Sequence, residues 1–169
     1  GTVTAGTNNI GTLTLAGTTT VSGAVGSGNA IKVINAGTAG KTATFSSTVN
    51  AGTINLTGTG DIAFNGAVTG NVDYNSHAGT ITLADTKNIT GSISSTGGTA
   101  GVLTLSGTST ISGTITGVTT INAGADTKTA TFSSDVTATN LEVSGTGNVA
   151  LNGNFTGQLD MNNKGATVT

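Results

Sequence analysis

The chain has no Cys, no Pro and no Trp, and all five of its basic residues are Lys. Without Cys, no disulfide framework can stabilise it. A stack of repeats needs none, and proteins that cross a bacterial envelope unfolded often lack them, so this absence fits export. The lysines are far apart and the net charge is -2. This charge balance offers no electrostatic attraction to nucleic acid or to an anionic membrane.

Charged and aromatic residues are also scarce, at 7% and 3% of the chain. A Gly-rich chain with so little charge resembles a disordered linker, but Val, Ile, Leu and Phe recur regularly and the mean hydropathy is positive, so we expect it to fold. Few aromatics imply a thin core. No stretch has the length of a transmembrane helix, and no signal segment stands at Gly1, so any export signal is expected outside these residues.

Thr and Gly dominate what is present, and the chain repeats itself. The segment from Lys41 to Thr82 returns from Lys128 to Thr169, and Gly11 to Val25 returns from Gly101 to Ile115. Apolar residues replace one another between the copies, as in Ile54 and Leu141, which indicates a buried stripe shared by two units. We therefore predict one continuous unit with an internal duplication, residues 1–90 and 91–169, whose second copy is incomplete.

Short runs with period-two alternation, such as TATF at Thr42 and TITL at Thr80, predict strands separated by Gly-containing bends. No stretch has helical spacing. The fold class predicted is all-β, a parallel β-helix (β-solenoid) of about seven turns, each of roughly 20 to 27 residues. An antiparallel sandwich or barrel also has many short strands, but such a domain seldom duplicates its apolar register in tandem without a linker, and no linker stands near residue 90.

The phrases GTINLTGTGDIAFNGAVTGNVDY and GTGNVALNGNFTGQLDM resemble the passenger regions of rickettsial surface cell antigens, autotransporters of the outer membrane protein A and B type. The resemblance covers nearly the whole chain. It implies a bacterial cell-surface or extracellular protein, anchored by a barrel outside this segment, that serves as a stalk or an adhesin with a host cell-surface protein as partner. Because ionisable side chains are scarce and dispersed, the residues themselves predict no cofactor and no small-molecule substrate.

Catalytic, cofactor and metal sites are not predicted. The single His77 follows Ser76, but adjacent strand residues point to opposite faces, so the two do not form a nucleophile and base pair. Asp73 and Asp160 recur as lone carboxylates, which favours surface positions over an acid and base pair. The GTGD sequence ending at Asp61 resembles a calcium-binding repeat, but the second copy has Asn148 in its place.

The candidate recognition loop is the segment present only in the first copy: Gly26, Ser27, Gly28, Asn29 and Ala30. An insertion on a regular scaffold is a common place for binding. One alternative function is ice binding by stacked Thr-x-Thr pairs, which begin at Thr12, Thr42, Thr80, Thr114, Thr129 and Thr167. Their irregular spacing equally fits ordinary strand preference for Thr. A carbohydrate-binding or phage-tail-like β-helix is the further alternative.

Overall fold

A computed structural model describes all residues, 1–169, and contains strands and turns but no helix. The strands are β1 Ile10–Thr14, β2 Thr19–Val21, β3 Ile31–Ala36, β4 Thr42–Phe45, β5 Val49–Leu56, β6 Asp61–Phe64, β7 Val68–Asp73, β8 Thr80–Leu83, β9 Asn88–Thr90, β10 Ile93–Ser94, β11 Ala100–Leu105, β12 Ser109–Ile111, β13 Ile115–Ala123, β14 Thr129–Phe132, β15 Val136–Val143, β16 Asn148–Leu151, β17 Phe155–Asp160 and β18 Thr167–Val168. The runs TATF and TITL form strands with the bounds that the alternation predicts.

Every strand pair is parallel, and each strand pairs with strands about one turn before and after it in the chain. Inward side chains stack in columns along three faces. Face A carries Val3, Val25, Val49, Val68, Ile89, Ile111, Phe132 and Leu151. Face B carries Leu13, Ile34, Ile54, Val72, Ile93, Ile115, Val136 and Phe155. Face C carries Thr19, Ala43, Ile62, Ile81, Leu103, Ile121, Leu141 and Leu159.

These columns confirm the parallel β-solenoid and fix its size. Each column has eight members, so the coil has about eight turns, one more than the repeat spacing suggests. At about 4.8 Å per turn, the stack is roughly 34 Å long. The major strand contacts join consecutive turns only, so the solenoid is a rod in which each turn rests on its neighbours.

The duplicated copies do not stack on equivalent faces. Val49 lies on face A, and four turns later that column reaches Phe132. The residue equivalent to Val49 is Val136, which lies on face B. One copy therefore spans four turns plus one face, and the second copy is rotated by one face relative to the first. This rotation explains why the strands of face A lengthen along the rod, from isolated bridges at Val3 and Val25 to four residues in β14 and β16.

The core is a continuous column of small apolar side chains with few rings. Phe45 and Phe64 stack with ring centroids 5.5 Å apart, one turn above the other. Tyr74 is fully buried, and its hydroxyl donates a hydrogen bond of 2.7 Å to the Val102 carbonyl. Its ring lies against Gly101, where an added Cβ would run into it, so this position requires Gly. The core continues through both copies without a break.

Candidate functional site

The predicted recognition loop, Gly26–Ala30, lies at the corner between faces A and B in the second turn. Ser27 and Gly28 are exposed. Asn29 donates its side-chain amide to the Ala5 carbonyl at 3.1 Å, and the Ala30 amide donates to Asn8 Oδ1 at 2.8 Å. The loop is thus packed on the corner of the first turn, and the exposed surface at this corner belongs to both segments.

The shorter corner of the second copy shows what the loop adds. There the chain passes from face B to face C through Gly117, which has a φ of 71°. The corner one turn earlier, Ser95–Thr99, is longer. A shallow groove of about 150 Å³ lies between it and the short corner at Gly117. This groove is lined by Thr99, Gly117, Val118, Thr137, Ala138 and Thr139. The five-residue loop of the first copy and this groove therefore occupy equivalent places in the two copies.

Side-chain oxygens of Asp and Asn tie successive turns together, and sequence reasoning missed this role. Each accepts a hydrogen bond from a backbone amide about one turn later; the pairs include Asp61 to Thr80, Asn71 to Ser92, Asp73 to Thr96, Asp85 to Thr108, Asn88 to Thr110, Asp126 to Thr146 and Asp135 to Asn154. We call these bonds inter-turn latches. The signal in the sequence is an Asp or Asn that stands 19 to 23 residues, about one turn, before a Thr, Ser or Asn.

Asp73 has the most extensive latch. Its carboxylate accepts the Thr96 hydroxyl at 2.6 Å, the Thr96 amide at 2.9 Å and the Asn75 amide at 2.8 Å. Burial works to raise the pKa of Asp73, but these hydrogen bonds outweigh it and hold the pKa below its ordinary value. Asp160, its equivalent in the second copy, accepts only the Asn162 amide, at 2.8 Å.

One ion pair crosses a whole turn. Lys128 Nζ lies 2.7 Å from Asp85 Oδ2, although the turn containing Gly107 lies between them. A side chain at Gly107 would collide with the Asp85 carboxylate, so Gly leaves the passage that the pair requires. The hydrogen bond from Lys128 lowers the pKa of Asp85. Both side chains are 39% exposed, so the pair is expected to stabilise the rod only modestly.

The other polar residues that were considered as catalytic or metal-binding candidates are Ser76, His77 and Asp61. Ser76 and His77 lie in a bend rather than a strand, and the Ser76 hydroxyl donates to the Thr96 carbonyl at 2.9 Å. Asp61 uses Oδ1 to accept the Thr80 amide at 3.0 Å. No group of three or more His, Asp or Glu side chains lies close enough together to hold a metal ion. These residues therefore remain without a catalytic or metal assignment.

The six Thr-x-Thr pairs lie on three faces, two on each. Those beginning at Thr12 and Thr114 lie on face B, those at Thr42 and Thr80 on face C, and those at Thr129 and Thr167 on face A. Two pairs never occupy adjacent turns of one face; between Thr42 and Thr80, for example, the strand presents Asp61 and Ala63. The rotation between copies disperses them, so they do not form one regular array.

Comparison with known proteins identifies no relative: no family model matches the chain, and neither a curated protein nor a solved structure matches it significantly. The structure likewise contains no helix that is long and apolar enough to span a membrane.

Proposed function

We propose that the chain is a structural segment of a bacterial surface autotransporter passenger, a rod that carries a contact site for host cells at its recognition loop. The observation that carries the proposal is the eight-turn parallel stack, in which each turn packs mainly on the turns directly before and after it. A protein built in this way can fold turn by turn as it emerges, which suits a chain exported unfolded.

The recognition loop supports the contact site. Ser27 and Gly28 of the loop are exposed. Hydrogen bonds from Asn29 to Ala5 and from Ala30 to Asn8 hold the loop against the corner of the first turn. An exposed loop held by side-chain to backbone bonds loses little entropy on binding. The rest of the rod presents mainly Thr, Ser and Asn side chains, whose function in this proposal is to keep the surface hydrated.

The test is attachment of labelled protein to host cells. The variant to compare replaces Gly26–Ala30 with Thr-Gly, the corner that the second copy uses before Val118, so the solenoid register is kept. Saturable binding that this variant loses would support an adhesin with its contact at the loop. If the variant retains saturable binding, the contact lies outside the loop and this part of the proposal is wrong. If neither protein binds, the chain is a stalk segment without a contact site, and the adhesin part of the proposal is wrong.

A pair of single substitutions tests the loop surface without changing the length of the chain. Thr116→Lys changes an exposed side chain on face B, far from the loop, and is expected to leave attachment unchanged. Ser27→Lys places the same charge on the loop and is expected to reduce attachment at least tenfold. Equal losses from both variants would show that the contact is electrostatic and unspecific.

A further inference from the structure

The corner between β6 and β7 contains an Asn-Gly pair whose two reactive groups are both free. Asn65 is exposed, and its side chain makes no hydrogen bond within the chain. Gly66 follows it in a bend, and the Gly66 backbone amide donates no hydrogen bond. Strand β6 pairs with β4 on one side and with β8 on the other, so the surroundings of this corner are complete within the chain.

The stacking of turns itself requires Gly at this corner. A Cβ added to Gly66 would collide with the backbone of Ser47, which lies in the preceding turn. Gly is also the residue whose backbone nitrogen is least hindered, because it has no side chain. The packing of one turn on the next therefore places an unhindered nitrogen directly after an exposed Asn.

The neighbouring pair Asn75 and Ser76 shows the opposite situation. The Asn75 side-chain amide donates a hydrogen bond of 3.1 Å to the Leu56 carbonyl, and the Ser76 backbone amide donates one of 3.1 Å to Ser95 Oγ. Both bonds must break before the Ser76 nitrogen can approach the Asn75 side chain, so reaction there has to wait for local opening of the corner. At Asn65 no such bond has to break.

We propose that Asn65 is a site of spontaneous deamidation in the folded protein, since Asn is a chemically labile residue. The Gly66 nitrogen loses its proton to water and forms a bond to Asn65 Cγ. The bond between Cγ and Nδ2 breaks, and Nδ2 leaves as ammonia. Water then opens the cyclic imide at either of its carbonyl carbons. This inference does not rest on the proposed function.

The two ways of opening the imide give different main chains. Attack of water on Cγ restores the ordinary main chain and leaves an aspartate side chain. Attack on the main-chain carbonyl carbon gives isoaspartate, in which the main chain runs through Cγ and is one carbon longer. Either product adds a negative charge to this corner of the rod.

The ordinary and the longer main chain should differ in how they fit the stack. Ordinary aspartate changes only an exposed side chain, so the turns stay in register. Isoaspartate inserts its extra carbon between two fixed points: the Asn65 amide, which donates to the Phe45 carbonyl at 2.8 Å, and Gly66, which lies against Ser47. Both contacts depend on the length of chain between them, so isoaspartate should loosen the corner.

Peptide mapping by mass spectrometry, on protein kept at mildly alkaline pH, tests the site. Trypsin cleaves after Lys41 and Lys87, so Asn65 and Asn75 are compared within one peptide. Folding is expected to slow deamidation of Asn75 at least tenfold relative to the chain in urea, but to change the rate at Asn65 by less than about threefold. Protection of Asn65 by folding to the same degree as Asn75 would overturn the proposal.

Asn65→Gln is the matched control for the route of reaction. Gln keeps an exposed amide, but its additional methylene would require a larger ring for attack by the Gly66 nitrogen. We expect this variant to lose ammonia at position 65 at least tenfold more slowly, and the peptide that contains Asn152 to behave as in the unchanged chain. Equal loss of ammonia from Asn and Gln at this position would show direct hydrolysis by water and contradict the proposal.

The two products are distinguished by enzymatic methylation, which detects the carboxylate of isoaspartate. The aged protein is separated by ion exchange, and the fraction with isoaspartate at position 65 is expected to unfold at lower urea than the unchanged chain. Asn65→Asp, which carries the same charge on the ordinary main chain, should unfold with the unchanged chain. Equal urea midpoints for this variant and the isoaspartate fraction would show that the corner accepts the longer chain, and aged protein without isoaspartate would contradict the imide route.

Discussion

At the residue scale, Tyr74 is completely buried, whereas the residues on either side of it in the chain are only partly buried. It is the only Tyr in the chain, and it is fully enclosed between turns with its hydroxyl bonded to the Val102 carbonyl. Burial raises the pKa of Tyr74 far above its ordinary value of 10.0, because the phenolate would be formed without water around it. The equivalent residue in the second copy is Met161, which carries no such proton.

This pKa predicts a pH dependence of stability. The folded state retains the phenol proton while the unfolded state releases it above pH 10, so this contribution is complete below pH 10 and declines as the pH rises beyond it. The slope from this one group is about 1.4 kcal/mol per pH unit. Urea unfolding between pH 8 and pH 11, followed by circular dichroism, measures it.

Tyr74→Phe is the matched control for that slope. It should lower the free energy of unfolding at pH 7 by about 1 kcal/mol, because the Val102 carbonyl loses its donor. Above pH 10 it should lose stability less steeply than the unchanged chain. Identical slopes for the two proteins would show that Tyr74 is accessible to water in the folded state.

At the scale of the strand and its corner, the inter-turn latches do what hairpin turns do in antiparallel folds: they fix where one segment lies on the next. Asp73 joins the end of β7 to the corner Ser95–Thr99, through Thr96. Period-two alternation predicts strands such as those that begin at Thr42 and Thr80. It does not predict the latch, because the carboxylate and its amide partner lie 23 residues apart in the chain.

Removal of one latch should therefore loosen one corner. In Asp73→Ala we expect the Thr96 amide to exchange with deuterium at least tenfold faster at neutral pH, since its acceptor is gone. In the unchanged chain the lowered pKa of Asp73 should preserve this protection until the pH falls below the ordinary carboxyl value of 3.8. Amide exchange measured by NMR follows both effects.

Glu142→Ala is the control for the latch, because Glu142 lies on β15 and its carboxylate is not part of an inter-turn latch. It should leave the exchange of the Thr96 amide unchanged. Equal exchange rates in Asp73→Ala and the unchanged chain would mean that the corner is held by its other contacts.

At the scale of the whole molecule, nearest-neighbour stacking makes the turn the unit of stability. Deletion of residues 65–83 removes one complete turn and joins Phe64 to Ala84, because Phe64 and Leu83 occupy the same column. The columns on faces A and B then continue from Val49 to Ile89 and from Ile54 to Ile93. We expect a folded, shorter rod whose urea m-value is lower by about one eighth.

Deletion of residues 65–74 is the matched comparison, since it removes about half a turn. It places β8 directly after β6, so two strands of face C would follow one another and the stacking of faces A and B would be interrupted. This protein is expected to unfold at lower urea or not to fold. Equal stability of the two deletion variants would contradict a stack that is held by column register.

The sequence determines the local content of this protein: alternating Val, Ile, Leu and Phe specify strands, Gly-containing bends separate them, and the repeat indicates a parallel stack. It also identifies the loop Gly26–Ala30 as a difference between copies. Only the tertiary structure decides that the copies are rotated by one face, that the Thr-x-Thr pairs are dispersed and that Asp and Asn latch successive turns. The physical reason is that strand formation depends on neighbouring residues, whereas the stacking register depends on the summed lengths of all intervening corners, each of which a few residues can change.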